Sequence, residues 1–113
     1  MPPRVVIAYA PLEEATIELG VFQEAGIEVA SVDSFDSPEA RELLRTAEGL
    51  MVKLQRVPAS LLGEMEQCRI VTRVGTGYDT IDTDAAAQRG VWVTNVPDYS
   101  IDEVSSHALA LLL

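Results

Sequence analysis

The residues best suited to bind a ligand are Gly75, Thr76 and Gly77, which follow an apolar run and which we call the glycine turn. Two glycines separated by one residue let the backbone bend sharply, because glycine adopts conformations that other residues avoid. Successive N–H groups in such a bend converge on one point and can bind a carboxylate or a phosphate without a charged side chain. The other interpretation is a plain strand-to-helix turn, and the spacing alone leaves both open.

The glycine turn does not match the phosphate-binding loop of a dinucleotide fold. That loop has the pattern G-x-G-x-x-G, with an acidic residue about 20 positions further on. Here Thr80 occupies the place of the third glycine, and Asn95 stands near the position of the acidic residue. No other pair of glycines in the sequence has the G-x-G spacing. The sequence therefore excludes a Rossmann phosphate loop within this chain.

Other polar side chains offer little catalytic chemistry. Lys53, the only lysine, follows a predicted strand and could face either a substrate anion or solvent alone. Arg73 lies within a predicted strand, so we expect it to pair with a nearby carboxylate. His107, the only histidine, has no carboxylate or nucleophile at a recognisable spacing, and we expect it to pack between helices. Asp79 and Asp82 precede a helical segment and are expected to cap it instead of binding a metal. We predict no catalytic residue and no metal site in this chain.

Short strands that alternate with short helices must position these residues. Apolar runs bounded by proline or glycine recur along the chain, and segments with helical spacing of apolar residues separate them. This alternation predicts an α/β fold with a parallel sheet and helices on both faces, and for five strands the flavodoxin-like order 2-1-3-4-5. That order brings Lys53 and the glycine turn to one edge, with Tyr78, Asp98 and Tyr99 on flanking loops as weaker candidates for ligand contact. The predicted strands are residues 4–10, 27–32, 50–52, 70–74 and 91–94.

Residues 100–113 form the last predicted helix. Ser100 and Glu103 have the spacing of a capping box, in which each side chain accepts a hydrogen bond from a free N–H group of the first turn. The sequence stops in the most apolar part of this helix with no glycine or basic residue, so we expect a truncated chain. We also expect the apolar face to be exposed and to join copies of the chain into a homo-oligomer. That face comprises Val104, His107, Ala108 and Leu111.

The composition limits the class of protein. Acidic residues outnumber basic ones 18 to 8, and the resulting net charge of -10 argues against a nucleic-acid-binding surface. The single cysteine, Cys68, excludes an internal disulfide, and we expect a half-buried and unreactive thiol. No run approaches the roughly 18 apolar residues of a membrane span. We therefore expect a cytoplasmic protein with no nucleic-acid or membrane partner.

The run over residues 69–113 resembles the D-isomer-specific 2-hydroxyacid dehydrogenases. This family includes phosphoglycerate, glyoxylate/hydroxypyruvate and D-lactate dehydrogenases and the C-terminal-binding-protein corepressors. The first 68 residues fit the opening strands and helices of the same family, although less closely. The resemblance rests on V-G-x-G from Val74, Asp79-x-x-Asp82, the alanine-rich helix, Arg89-Gly90-Val91, Thr94-Asn95-Val96-Pro97, and Glu103 ahead of His107-Ala108-Leu109-Ala110.

The resemblance implies a two-domain enzyme of which this chain is one part. Residues 1–99 would be the N-terminal portion of a flavodoxin-like substrate domain, and residues 100–113 would begin the helix that crosses to a Rossmann NAD domain. That domain, the catalytic Arg, Glu and His of the family, and the dinucleotide loop are absent from this sequence. The family also implies that Thr76 contacts the cofactor, which is NAD or NADP in the full-length enzyme. The residues implied in binding a small 2-hydroxy or 2-keto acid are Lys53, Leu54, Val74, Gly75, Thr76 and Gly77.

Two functional hypotheses remain open at this point. The first is the substrate-domain portion of an NAD-dependent D-2-hydroxyacid dehydrogenase, which alone would bind no dinucleotide and transfer no hydride. The second is a stand-alone or engineered flavodoxin-like module with a structural or oligomerisation role and no catalysis. A corepressor-like use of the parent enzyme is a narrower form of the first hypothesis.

Overall fold

Five parallel strands form a single sheet in the order β2-β1-β3-β4-β5 in the computed structural model, which describes residues 3–97 and 101–113. This arrangement confirms the predicted flavodoxin-like α/β fold with helices on both faces. Along the described chain the elements are β1 (Arg4–Ile7), α1 (Thr16–Glu24), β2 (Glu28–Ser31), α2 (Pro38–Thr46), β3 (Gly49–Val52), α3 (Ala59–Glu64), β4 (Ile70–Arg73), α4 (Thr83–Gln88), β5 (Trp92–Thr94) and α5 (Ile101–Leu112).

The two faces of the sheet differ in how they are covered. Paired residues of parallel strands point to the same face, and the pairing places Val6, Leu50 and Val71 together. These three side chains are at most 1% exposed, and they join a buried cluster with Leu44 of α2 and Leu62 of α3. We call this side the covered face. We call the other side of β3, β4 and β5 the open face; its side chains are Met51, Ile70, Thr72, Trp92 and Thr94.

The first strand and helix are shorter than the sequence predicts. β1 ends at Ile7 and not at Ala10, and α1 begins at Thr16 and not at residue 12. The helix starts late because a turn precedes it, in which the carbonyl of Pro11 accepts hydrogen bonds from the N–H groups of Glu14 and Ala15, at 3.0 and 3.2 Å. The strand ends where the carbonyl of Ala8 accepts from the side chain of Gln55. Ile7, the last residue of β1, is fully buried.

The last helix is present over Ile101–Leu112, and its side chains are all exposed. His107 is among them, so the prediction that it packs between helices is wrong. The apolar residues around the histidine made a buried helix face the expected result, but no other helix of the described chain buries that face. Ser100, together with the loop candidates Asp98 and Tyr99, lies outside the described residues. Among the helices in the described part of the chain, none combines the length and apolar character needed to cross a membrane.

Candidate functional site

The ends of β3 and β4 bring the predicted ligand-binding residues to one edge of the sheet. Val52 pairs with Arg73 in the parallel register, and the N–H of Val74 donates to the carbonyl of Val52 at 2.7 Å. Lys53 and Leu54 leave β3 at this point, and both are exposed. The glycine turn leaves β4 beside them. In open α/β sheets ligands bind outside the carboxyl ends of strands, and these residues lie at that edge.

A network of hydrogen bonds from the segment after β5 fixes the shape of the glycine turn. The N–H of Val96 donates to the carbonyl of Gly75 at 2.8 Å, and the hydroxyl of Thr76 donates to the carbonyl of Val96 at 3.0 Å. The side-chain amide of Asn95 donates to the carbonyl of Thr76 at 2.7 Å. The residue types did not predict this structural role of Asn95, which entered the prediction as the residue near the place of the acidic ribose contact and as part of the T-N-V-P motif. The T-N-V-P run was the signal available.

The amides of the turn are not equally available to a ligand. The N–H of Val74 donates to β3, and the N–H of Gly75 donates to the carbonyl of Arg73 at 3.0 Å. Within residues 3–97 and 101–113, the N–H groups of Thr76 and Gly77 donate no hydrogen bond, and both residues are exposed. In this conformation an incoming carboxylate therefore meets the amides of Thr76 and Gly77 first.

Arg73 supplies a positive charge directly against the glycine turn. A Cβ atom placed on Gly75 would lie 1.9 Å from Nη1 of Arg73, so the guanidinium occupies the space that a side chain would fill. Nη1 donates to the carbonyl of Val74 at 2.7 Å, while Nε is buried with no hydrogen-bond partner among the described residues. The predicted pairing with a carboxylate is wrong for this part of the chain, because a backbone carbonyl takes that place. The sequence signal for this arrangement is an arginine two residues before a glycine. The glycine has no side chain, so the guanidinium can occupy the space beside it.

Gln55 holds the Lys53 loop in place. Its side-chain carbonyl accepts from the N–H of Lys53 at 2.8 Å, and its side-chain amide donates to the carbonyl of Ala8 at 2.7 Å. One side chain thus ties the loop after β3 to the chain leaving β1. The ligand-facing edge is therefore built from three neighbouring strand ends with defined conformations.

Two titratable side chains outside the turn stay protonated at neutral pH. Burial raises the pKa of Tyr9, and the nearby Glu18 carboxylate, which accepts from the Tyr9 hydroxyl at 2.6 Å, raises that pKa further. Burial also raises the pKa of Cys68. The thiol is half-buried as predicted. Neither group is an activated nucleophile, since both hold their protons more tightly than usual.

The similarity of the whole chain to one protein family identifies the class of protein to which this site belongs. The model of the D-isomer specific 2-hydroxyacid dehydrogenase, catalytic domain, matches residues 6–110. The chain belongs to this family.

Similar proteins of this dehydrogenase family act on several small acids. Over 88 residues the chain is 40% identical to a D-3-phosphoglycerate dehydrogenase of Mycobacterium tuberculosis. The match covers 77% of this chain and 17% of that protein. It is 36% identical over 73 residues to a glyoxylate reductase of Pyrococcus furiosus, covering 64% of this chain and 22% of the relative. The chain thus spans about a fifth of the length of the curated relatives it matches.

Solved structures of dehydrogenases share the fold. An NADPH-dependent glyoxylate/hydroxypyruvate reductase of Sinorhizobium meliloti, in complex with NADP and malonate, matches with a TM-score of 0.76 and 27% identity, over all of this chain and 34% of that one. An NAD+-bound 3-phosphoglycerate dehydrogenase of Entamoeba histolytica matches with a TM-score of 0.79 over 99% of this chain and 38% of its own. At 23% identity the second match concerns the fold alone.

Of the two aspartates after the glycine turn, Asp82 is the one to which the structure gives a capping role. The Asp82 carboxylate accepts from the N–H of Ala85 at 2.9 Å and caps α4, as predicted. No comparable cap bond involves Asp79 among the described residues. Within residues 3–97 and 101–113 there is also no cluster of three or more His, Cys, Asp or Glu side chains placed to hold a metal ion.

Replacing Asp82 with alanine is expected to lower the free energy of unfolding by about 0.5–2 kcal/mol, because the first turn of α4 loses its side-chain acceptor. Urea denaturation followed by circular dichroism measures the change. Asp33→Ala is the matched control, since Asp33 is exposed and its side chain has no hydrogen-bond partner within the described chain. Added Mg²⁺ should leave the urea midpoints of the parent chain and of Asp82→Ala unchanged. A midpoint that rises with Mg²⁺ in the parent chain and not in Asp82→Ala would contradict the capping interpretation.

Proposed function

We propose that this chain is the larger part of the substrate domain of an NAD- or NADP-dependent D-2-hydroxyacid dehydrogenase. Residues 1–99 would belong to that domain, and residues 100–113 would begin the helix leading to the nucleotide domain. The observation that carries the proposal is the Arg73 guanidinium packed against Gly75 of the glycine turn, in which the amides of Thr76 and Gly77 donate no hydrogen bond to any described residue. A cation and two N–H donors within one short turn suit a carboxylate. We further propose that the protein is cytoplasmic.

The proposed ligand is a small 2-hydroxy or 2-keto acid. Its carboxylate would lie on the amides of the glycine turn with Arg73 as counter-charge, and Lys53 and Leu54 would line the opposite side of the pocket. Leu54 is 71% exposed, so a bound acid would remove apolar surface from water there. The family resemblance also implies that Val74 and Gly75 bind the acid. Their amides could do so only if their present hydrogen bonds to the carbonyls of Val52 and Arg73 were exchanged for bonds to the ligand. Relatives that act on glyoxylate, hydroxypyruvate and phosphoglycerate support this class of substrate.

The residues of this chain do not fit a dinucleotide on their own. The glycine turn lacks a third glycine, and the hydroxyl of Thr76, which is the predicted cofactor contact, is engaged with the carbonyl of Val96. We propose that the groups which bind NAD or NADP lie in another part of the full-length enzyme. In that enzyme this chain would hold and orient the acid, and it would supply no proton donor.

Titration of the ¹⁵N-labelled chain with pyruvate tests carboxylate binding. We expect saturable shifts of the Thr76 and Gly77 amide resonances, and Arg73→Gln should weaken binding by roughly tenfold or more, since a hydrogen bond to a charged group contributes about 1.5–3 kcal/mol. Arg89→Gln is the control, because Arg89 lies at the other end of α4. Equal effects of the two variants, or shifts matched by sodium chloride at the same ionic strength, would refute the proposed site.

NADH is expected not to bind this chain, and micromolar binding would refute the assignment of the cofactor site to another domain.

The alternative role as an interaction module has one observation in its favour. The apolar side chains of α5 are exposed, and so is part of the sheet. The predicted homo-oligomer through residues 100–113 would use this surface.

A further inference from the structure

The side chain of Gln55 bonds the loop after β3 to the chain that leaves β1. Its carbonyl oxygen accepts from the N–H of Lys53 at 2.8 Å, and its amide donates to the carbonyl of Ala8 at 2.7 Å. An amide group offers a donor and an acceptor at once, which neither a carboxylate nor an apolar side chain does. The residue is half-buried, so water competes only in part for these bonds. Gln55 therefore fixes the backbone of Lys53 relative to the end of β1.

The groups on either side of this loop are themselves held in place. The N–H of Ala8 donates to the carbonyl of Met51 at 2.9 Å, so the carbonyl that Gln55 contacts belongs to a residue already bonded to β3. At the far end of the loop, the N–H of Val57 donates to the carbonyl of Thr80 at 2.9 Å. The loop thus lies between two anchors, and the second anchor is on the segment that continues from the glycine turn.

The two side chains that this loop presents at the ligand-facing edge have few contacts of their own. Lys53 and Leu54 are both exposed. Lys53 takes part in no ion pair within the described part of the chain. Their position opposite the glycine turn therefore depends on the backbone, which Gln55 holds through the N–H of Lys53. A site whose parts are held in the binding conformation before the ligand arrives binds more tightly, because less freedom is lost on binding.

We propose that Gln55 is a positioning residue of the acid-binding site, which sets the affinity for the acid by fixing Lys53 and Leu54 opposite the glycine turn. Both polar atoms of its side chain are engaged within the protein, so Gln55 acts through the loop and not on the ligand. The inference rests on the proposed function, since it concerns the same site. It assigns to the bond between Gln55 and Ala8 the role of keeping the pocket preformed.

Two substitutions of Gln55 test the donor bond. Gln55→Met removes both hydrogen bonds and should weaken pyruvate binding to the ¹⁵N-labelled chain about tenfold at every pH, because the loop is no longer preformed. Gln55→Glu keeps an acceptor for the N–H of Lys53 but places a carboxylate oxygen against the carbonyl of Ala8, so at neutral pH it should weaken binding as much. Protonation restores a donor on that oxygen, and the nearby carbonyl favours the protonated form. The dissociation constant of Gln55→Glu should therefore approach that of the parent chain as the pH is lowered to about 5.

The amide resonances show whether the substitutions act on the loop alone. In the ligand-free chain the Lys53 resonance should shift in Gln55→Met, because its N–H loses an acceptor, while the Thr76 and Gly77 resonances should stay as in the parent chain. Gln23→Glu is the control for the added negative charge, since Gln23 is exposed near the end of α1. Its affinity for pyruvate should equal that of the parent chain.

The inference is overturned if either Gln55 variant binds pyruvate as tightly as the parent chain at neutral pH, or if the affinity of Gln55→Glu does not recover on acidification. Shifted Thr76 and Gly77 resonances in the ligand-free variants, or equal weakening by Gln23→Glu, would also overturn it, because a general disturbance would then explain the loss. Failure of the proposed function gives a different result: the parent chain itself would not bind pyruvate saturably, which would refute both. Binding that Arg73→Gln weakens and the Gln55 variants leave unchanged would refute this inference alone.

Discussion

Replacing Gly75 with alanine is expected to lower the free energy of unfolding by about 1–3 kcal/mol, the usual cost of holding a non-glycine residue in a sparsely populated backbone conformation. Gly75 has a φ of 150°, in the range that favours glycine, and its new Cβ would collide with the Arg73 guanidinium. The collision has a functional consequence as well, because Arg73 must move away from the glycine turn. Pyruvate binding should therefore fall together with stability, and urea denaturation and the amide titration measure the two effects.

Gly63→Ala is the control for the glycine substitution. Gly63 lies within α3, and an added Cβ there would meet no atom within 4 Å. Alanine is favoured over glycine within a helix by up to about 1 kcal/mol, so this variant should be as stable as the parent chain or more stable. If both variants lost stability equally, the special conformation of Gly75 would have no energetic role.

Replacing Leu62 with alanine is expected to cost about 2–5 kcal/mol, the range for truncating a buried leucine. Leu62 is fully buried in the cluster beneath the covered face, and α3 has only six residues with which to hold its place. The helix also follows Val57, whose N–H donates to the carbonyl of Thr80 at 2.9 Å in the loop after the glycine turn. A loosened α3 should therefore disturb the ligand-binding edge as well.

Ile17→Ala is the matched truncation on the surface. Ile17 is 79% exposed in α1, so its replacement should change the free energy of unfolding by no more than about 0.5 kcal/mol. Thermal and urea unfolding of both variants give the comparison. A Leu62→Ala chain as stable as Ile17→Ala would mean that the covered face is not the main core of the domain.

The fold followed from the sequence because its elements repeat a simple pattern. Apolar runs such as β3 form buried strands, and a helix with one apolar side separates each strand from the next. Because each helix carries the chain back to the start of the sheet, this alternation predicts parallel strands. The ends of the elements were harder to predict. Ala8, Tyr9 and Ala10 continue the apolar character of β1, and the end of the strand at Ile7 depends on a distant partner, since the Gln55 side chain donates to the carbonyl of Ala8.

The site was predicted only in outline, for a physical reason. Residue types indicated a turn of glycines at a strand end, but which amides remain free depends on partners far away in sequence, such as Val52. Arg73 was assigned a carboxylate partner because charges usually pair, whereas its position depends on a backbone carbonyl and on the empty side of Gly75. The apolar face of its helix predicts that His107 packs between helices, but the pattern on one helix carries no information about which elements lie next to it.

The hydrogen bonds from Asn95 and Val96 to the glycine turn have a thermodynamic meaning. They join the place where a carboxylate would dock to residues 95–96, the segment that directly follows β5. Two events that share such a connection are coupled reciprocally: the free energy by which ligand binding favours one arrangement of that stretch equals the free energy by which the arrangement favours ligand binding. The ordering of this stretch and the affinity for the acid are therefore two measurements of one coupling.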